Sequence, residues 1–221
     1  ELRVVRRIQL ALVEYEVKGR IAYITMNRPE KLNAMNREMI DGLWDGFTNF
    51  RDDPEVWLAI VSGRGRSFSV GHDLAEMRAD PALEPMTELF QKCSRMMVTL
   101  TKIPQPVVAR VHGTATAAGC QLVAQCDLAV AVESATFATS GINVGLFCST
   151  PMVAVTRNLP RKQAMEMLMT GEFIDAARAY ELGLVNRVTD GSAMDGAMEL
   201  ARAISENGPL AVKISKQKNL A

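Results

Sequence analysis

The chain has 221 residues, enough for one substantial core with an appended helical segment, because single domains typically run to roughly 100–250 residues. Its 25 basic and 25 acidic residues cancel and form no long block of one sign, which argues against a nucleic-acid partner. Apolar runs such as Leu128 to Val132 fall far short of the ~20 residues a membrane helix needs, and no charged-then-apolar leader opens the sequence, so the expectation is a soluble, cytoplasmic protein with no membrane partner.

In chain order, the cluster Arg3, Arg6 and Arg7 reads as a solvated face and is assigned no role. Leu12, Val13 and Val17, then Ile21, Tyr23 and Ile24, broken by Lys18-Gly19, predict two strands joined by a tight turn. Asn36 can cap a helix whose apolar positions Met39, Ile40, Leu43, Trp44, Phe47 and Phe50 repeat with helical spacing until Asp52-Asp53-Pro54 ends it. Trp57 to Ser62 is a short apolar run followed by Gly63-Arg64-Gly65-Arg66, and the same strand-then-loop pattern returns at Pro106 to His112 before Gly113. Between them, Met86, Leu89, Phe90, Cys93, Met96, Met97 and Leu100 mark another amphipathic helix. Leu128 to Val132 and Thr136 to Ala138 predict further strands; the remainder, apart from an apolar run at Leu184 to Val188, reads mainly as helix. Strands separated by helices predict an α/β chain, with residues 1–158 as the core domain and 159–221 as a C-terminal helical region. Cys93, Cys120, Cys126 and Cys148 fit neither a disulfide framework nor paired C-x-x-C zinc spacing, so they are read as buried thiols and no metal site is expected. The 13 methionines sit at core-like helical positions and read as packing.

Two segments place small residues where a strand gives way to a helix. In Ser67 to Leu74, Gly71 permits an unusual turn and Asp73 can cap a helix starting at Leu74. In His112 to Gln121, glycine and alanine let another molecule approach the main chain, and a helix starting there offers unpaired N–H donors and the positive end of its dipole. Two such donors converging on one point would form an oxyanion hole for a thioester-derived enolate or tetrahedral oxyanion. Spacing alone favours tight packing over catalysis at such turns and leaves both open.

Five ordered segments narrow the choice. Asn27-Arg28-Pro29-Glu30-Lys31-Leu32-Asn33-Ala34-Met35, Phe68 to Leu74, His112-Gly113 through Asp127, Phe137-Ala138 followed by Gly145, and Met165 to Glu172 with Ala176 to Asn186 together resemble the crotonase (enoyl-CoA hydratase/isomerase) superfamily over roughly residues 12 to 215. The resemblance implies a crotonase-like spiral of ββα units with a C-terminal helical region, assembled as a homotrimer or dimer of trimers. It implies an acyl-CoA or enoyl-CoA thioester as substrate, with coenzyme A entering as part of that substrate and no resident cofactor. Carried over by position, the oxyanion donors are the backbone N–H groups of His72 and Ala118. Lys31, Leu32 and Ala34, with His72, Asp73, Leu74 and Ala75, fall where the family holds the adenine and pantetheine, and Ala75 departs from a lysine frequent there. The resemblance also implies that the family runs on for several helical turns beyond Ala221.

The match fails where hydratase chemistry needs acids. Hydratases of the family use two glutamates to activate water and deliver a proton, and those positions here fall on Gln121 and Gly141, neither of which titrates. Phe147-Cys148-Ser149-Thr150-Pro151 replaces the usual glycine-rich turn. That pattern resembles the enoyl-CoA hydratase domain-containing protein 3 type, a branch lacking the same two carboxylates. Cys148 would act as a nucleophile only with a lowered pKa; His72 and His112 read first as packing or hydrogen-bonding residues; Asp80, Glu84 and Glu88 read as solvated. Three functions follow: an acyl-CoA enzyme working through an oxyanion hole, with hydratase, isomerase, thioesterase or decarboxylase chemistry open; a non-catalytic acyl-CoA-binding or regulatory protein; and a structural subunit.

Overall fold

Period-two alternation builds the first sheet. In the computed structural model, which describes residues 5–219, Val13, Tyr15 and Val17 turn inward along the second strand while Glu14 and Glu16 face the other way. Arg3, Leu220 and Ala221 lie outside the described residues. Strands β1 (Val5–Leu10), β2 (Val13–Lys18) and β3 (Ile21–Met26) form an antiparallel meander, with Gly19 at φ 61° in the predicted turn. Helix α1 (Arg37–Asp52) follows; the Met39 N–H donates to Asn36 Oδ1 at 3.0 Å, which caps it as the sequence predicts. Its buried stripe Met39, Ile40, Leu43, Phe47 and Phe50 joins the main core.

Three repeats then wind the spiral. Strands β4 (Leu58–Gly63) and β5 (Ser67–Ser69) lead into α2 (Leu74–Ala79) and α3 (Leu83–Lys102); β6 (Val107–Val111) and β7 (Thr114–Thr116) lead into α4 (Ala118–Gln125); β8 (Leu128–Val132) and β9 (Thr136–Ala138) lead into α5 (Ser149–Asn158). In each repeat the first strand enters a seven-stranded sheet and the second a four-stranded one. The larger sheet runs β1-β2-β3-β4-β6-β8-β11, parallel from β3 onward, and the smaller runs β10-β9-β7-β5. This is the α/β spiral of ββα units that the sequence implies. Glycine permits the tight stacking of its turns: a methyl on Gly113 would sit 2.2 Å from the Arg66 carbonyl oxygen.

Beyond residue 158 the chain continues through α6 (Arg161–Thr170), β10 (Ile174–Asp175), α7 (Ala176–Glu181), β11 (Arg187–Thr189), α8 (Ala193–Ser205) and α9 (Pro209–Asn219). This region is mainly helical, yet it also places one strand in each sheet. The apolar run at Leu184 to Val188 is strand only at its end: Leu184 and Val185 are buried in the turn after α7, where both N–H groups donate to the Ala179 carbonyl oxygen. Helix α8 closes the sheet face opposite the main core, with Ala193, Ala197 and Ala201 packed on Leu58, Ile60, Val108 and Val130. Helix α9 is fastened by Lys216, whose ammonium meets Asp127 Oδ2 at 2.7 Å and donates to the carbonyl oxygens of Leu100 and Gln105, both at 3.0 Å.

Lys216→Ala removes that cation and leaves two carbonyls and a largely buried carboxylate without it. We expect a loss of about 2–3 kcal/mol at neutral pH in urea denaturation. Burial already raises the Asp127 pKa, opposed by Lys216, so the loss should shrink as pH falls and the carboxylate protonates; a loss that grows on acidification would contradict this account.

Candidate active site

The segment before α1 is folded around one buried amide. Asn33, fully buried and at φ 55°, directs its Nδ2 to the carbonyl oxygens of Arg64 (2.9 Å), Ser67 (2.9 Å) and Phe68 (3.1 Å), while its Oδ1 accepts from the Arg28 N–H at 3.0 Å. The main chain of the same segment holds the next loop: Ser69 Oγ donates to the Asn33 carbonyl at 2.8 Å, Met35 N–H to Gly71 O at 2.7 Å, and Asp73 N–H to Met35 O at 3.1 Å. Arg28 completes the clamp with a 2.6 Å ion pair to Asp73. Lys31, Leu32 and Ala34 are thus tied to the His72–Ala75 loop, and Lys31, Leu74 and Ala75 are exposed at its surface. Asp73 also caps α2, accepting from the N–H groups of Ala75 and Glu76. Burial works against this carboxylate, but Arg28 and the two N–H donors hold it below its usual range.

Gly71, at φ 87°, brings this loop against the start of α4. A methyl added there would lie 2.8 Å from the Ala117 Cβ and 3.1 Å from the Ala118 nitrogen, and a methyl on Gly119 would lie 2.2 Å from the Ser69 carbonyl oxygen. The His72 and Ala118 N–H groups therefore belong to two abutting loops, and neither donates to a main-chain acceptor among the described residues. Ala117 enters the helix at φ 51° and ψ −121°, a conformation that costs a residue with a Cβ roughly 1–3 kcal/mol, so packing holds strained backbone at this point.

Around these donors the side chains are mostly neutral. Gln121 is buried on α4, and its Oε1 has no partner. Gly141 lies in a tight 3-10 segment, Ser140–Val144, and a methyl there would meet the Leu146 carbonyl oxygen at 2.4 Å and Cys148 Sγ at 2.8 Å. Thr116 Oγ1 and Ser140 Oγ share a 2.7 Å hydrogen bond beside it. Burial raises the pKa of Cys148, so the group is a thiol at neutral pH, as the sequence reading favours. His72 packs edge-on against Phe90 of α3, with ring centroids 5.0 Å apart, and its Nε2 is buried without a partner. Burial depresses its pKa to about 4. His112 lies apart, with Nε2 against the Gly65 carbonyl at 2.8 Å, and serves the loop between β4 and β5. Asp80, Glu84 and Glu88 are exposed. Among the described residues no group of three or more His, Cys, Asp or Glu can hold a metal, and no helix is long and apolar enough to cross a membrane. Neither the Asn33 clamp nor the packing over Gly141 was found from sequence; the N-R-P-E-K-L-N-A-M string marks the first only as a motif.

Comparison with known proteins gives the chain its family. The enoyl-CoA hydratase/isomerase family model matches residues 16–220, and the chain belongs to that family. It is 43% identical over 203 residues to the mitochondrial enoyl-CoA hydratase domain-containing protein 3 of Danio rerio, covering 91% of this chain and 70% of that protein. The Homo sapiens protein of the same name is 42% identical over 197 residues, covering 89% of this chain and 65% of that protein. The chain spans 57% to 70% of the length of such relatives. The crystal structure of the human protein superposes with a TM-score of 0.86 at 40% identity, over 97% of this chain and 82% of that one. An enoyl-CoA hydratase of Mycobacterium smegmatis gives 0.84 at 44%, over 98% and 81%.

The depressed pKa of His72 predicts acid sensitivity. The unfolded imidazole protonates near its ordinary value of 6.5 while the folded one stays neutral to about 4, so stability present above pH 6.5 is lost as pH falls through that window. Chemical denaturation between pH 7 and pH 4 should show roughly 2–3 kcal/mol of this loss in the native protein and its absence in His72→Ala; parallel pH profiles for the two would refute it.

Proposed function

We propose that this family member binds an acyl-CoA or enoyl-CoA thioester and holds the thioester oxygen between the backbone N–H groups of His72 and Ala118. The observation that carries the reading is the abutment of two glycine-permitted loops, each with an uncommitted N–H at the contact. Such donors, fixed before substrate arrives, stabilise an oxyanion or enolate with little reorganisation, and removing one from a comparable site costs ~3 kcal/mol. Lys31, Leu32, Ala34 and the loop from His72 through Asp73 and Leu74 to Ala75 would carry the coenzyme A portion; their linkage by the Arg28–Asp73 pair supports one continuous surface. No resident cofactor is required.

Hydration is proposed to be weak. Gln121 and Gly141 stand at the positions of the family's acid and base, and a positioned carboxylate contributes roughly 10²–10⁴-fold. Gln121 can still orient a water or the substrate, since its unpartnered Oε1 accepts and its amide donates. A second reading, a non-catalytic acyl-CoA-binding or regulatory protein, is favoured by the packing over Gly141, which leaves no space for a side chain. Assembly as a homotrimer or dimer of trimers is part of the proposal, supported by the exposed apolar run Ile142, Val144, Leu146 and Phe147. Cytoplasmic residence is retained as the reading from composition; "mitochondrial" belongs to the names of the vertebrate relatives.

Hydration of crotonyl-CoA by the native protein and by Gln121→Glu tests the reading. We expect saturable binding by both, little turnover by the native protein, and a gain of about tenfold or more in the variant. Native turnover at hydratase rates would refute the role assigned to the lost carboxylates, and failure to bind any CoA ester would remove both readings. Gly141→Glu, in contrast, should lower stability whatever its effect on turnover, as thermal unfolding would report. Sedimentation should give a multiple of three chains; a monomer mass would overturn the assembly.

A further inference from the structure

On the sheet face beneath the start of α8 lies a polar cavity of about 380 Å³, whose rim at Gly63 and Arg64 adjoins the chain held by Asn33. Its floor follows the strand register. Thr25 pairs with Ser62 across β3 and β4, Ala109 pairs with Val61, and the next step sets Arg110 beside Ser62. Alternation then gives Arg110 the same face as Val108, which α8 covers, but here the cover thins to Met194 and Met198.

Among the described residues Arg110 has no counter-charge, because the carboxylates lining the same cavity are already committed. Glu14 accepts from Asn27 on Oε1 (2.9 Å) and Arg64 on Oε2 (2.7 Å), while Glu16 meets Arg7 on Oε1 (2.8 Å) and Lys18 on Oε2 (2.7 Å). Four cations thus line the cavity against two carboxylates, leaving two positive charges in excess. The Nε of Arg110 is buried with no hydrogen-bond partner. Arg110 as a whole is half-buried, and a guanidinium whose Nε is shut off from water and from any acceptor gains from an anion placed beside it. The Thr25 and Ser62 hydroxyls are 3.1 Å apart; one donates to the other, so the second hydrogen is free for a further acceptor.

We propose that this cavity is a binding site for a phosphate-type oxyanion, held by the Arg110 guanidinium with help from Arg64 and a hydroxyl of the Thr25–Ser62 pair. Two excess positive charges suit a dianion, and guanidinium groups beside a hydroxyl donor suit its several oxygens. The volume stands near the lower end of ligand cavities, which fits a small anion or the phosphate of a small ester. Burial and the neighbouring Arg64 push the Arg110 pKa down, a cost that a bound anion would offset.

Calorimetric titration with inorganic phosphate at low ionic strength tests the site in the native protein, in Arg110→Gln and in the presence of saturating crotonyl-CoA. Saturable binding of one phosphate per chain is expected, weakened about tenfold or more in Arg110→Gln and unchanged by crotonyl-CoA. Absence of saturable binding, equal affinity in Arg110→Gln, or competition by crotonyl-CoA would each overturn a separate anion site. If melting shows that Arg110→Gln does not fold, Ser62→Ala supplies the comparison, with several-fold weakening expected and unchanged affinity counting against the site. This inference stands apart from the thioester reading: a protein that binds crotonyl-CoA but not phosphate refutes only the former.

Discussion

The carboxamide of Asn33 is the contact on which the arrangement of the site depends. One side chain satisfies the carbonyls of Arg64, Ser67 and Phe68 where the chain passes from the larger sheet to the smaller, and it also takes the Arg28 N–H. Each of these groups would cost about 1–3 kcal/mol if left dry and unpaired, so the segment has a strong reason to keep one conformation. The bonds from Ser69 to Asn33, Met35 to Gly71 and Asp73 to Met35 then transmit that order to the loop carrying His72. Under the proposed function this order matters, because a donor aimed at a developing charge is useful only when fixed beforehand.

Such a frame explains why so much small-residue sequence gathers at two turns. Gly71 and Gly119 let α4 start within van der Waals reach of the preceding repeat, and Ala117 accepts a strained φ in the same cause. The strain is sustained because Ala118, Cys120, Leu122 and Val123 are all buried and hold the helix from below. Close packing of the spiral and the two unpaired N–H groups therefore share one origin, which is why spacing alone could not separate tight packing from catalysis.

Legibility followed the length of each element. Helices α1 and α3 carry apolar stripes over several turns, and β2, β3, β4, β6 and β8 are long enough to show alternation or a continuous apolar run, so periodicity marks them. Strands β5, β7 and β9 have three residues each and β10 has two, too few for any period to register; of the smaller sheet only β9 was expected, as a short run following β8 and not from a period. Strand β1 was hidden differently: Arg6, Arg7 and Gln9 interrupt its apolar residues, and its pairing with β2 rests on main-chain bonds that the side chains do not announce. At the site, Asp73 and Asn36 could be read as caps because capping is local. The work of Asn33 and the isolation of Arg110 could not, since each depends on which distant groups are already engaged.

If positions 121 and 141 stand for the family's two carboxylates, as the proposed function has it, the two losses are not equivalent. At position 121 an amide of nearly glutamate's shape is buried on α4 itself, with an amide nitrogen in place of a titrating oxygen and its Oε1 without a partner among the described residues. At position 141 the space itself has gone: the Leu146 carbonyl and Cys148 thiol stand where a first side-chain carbon would be, and Leu146 N–H donates to the Gly141 carbonyl at 2.9 Å, closing the turn. A chain that had merely dropped an acid would leave a cavity at that point, with the loss of packing that cavities bring. Here the turn packs closely over Gly141 and leaves no such space. Under the proposed function, this tight turn favours chemistry or binding that draws on fixed N–H donors and a neutral amide, and it disfavours any step that needs two opposed carboxylates around one water.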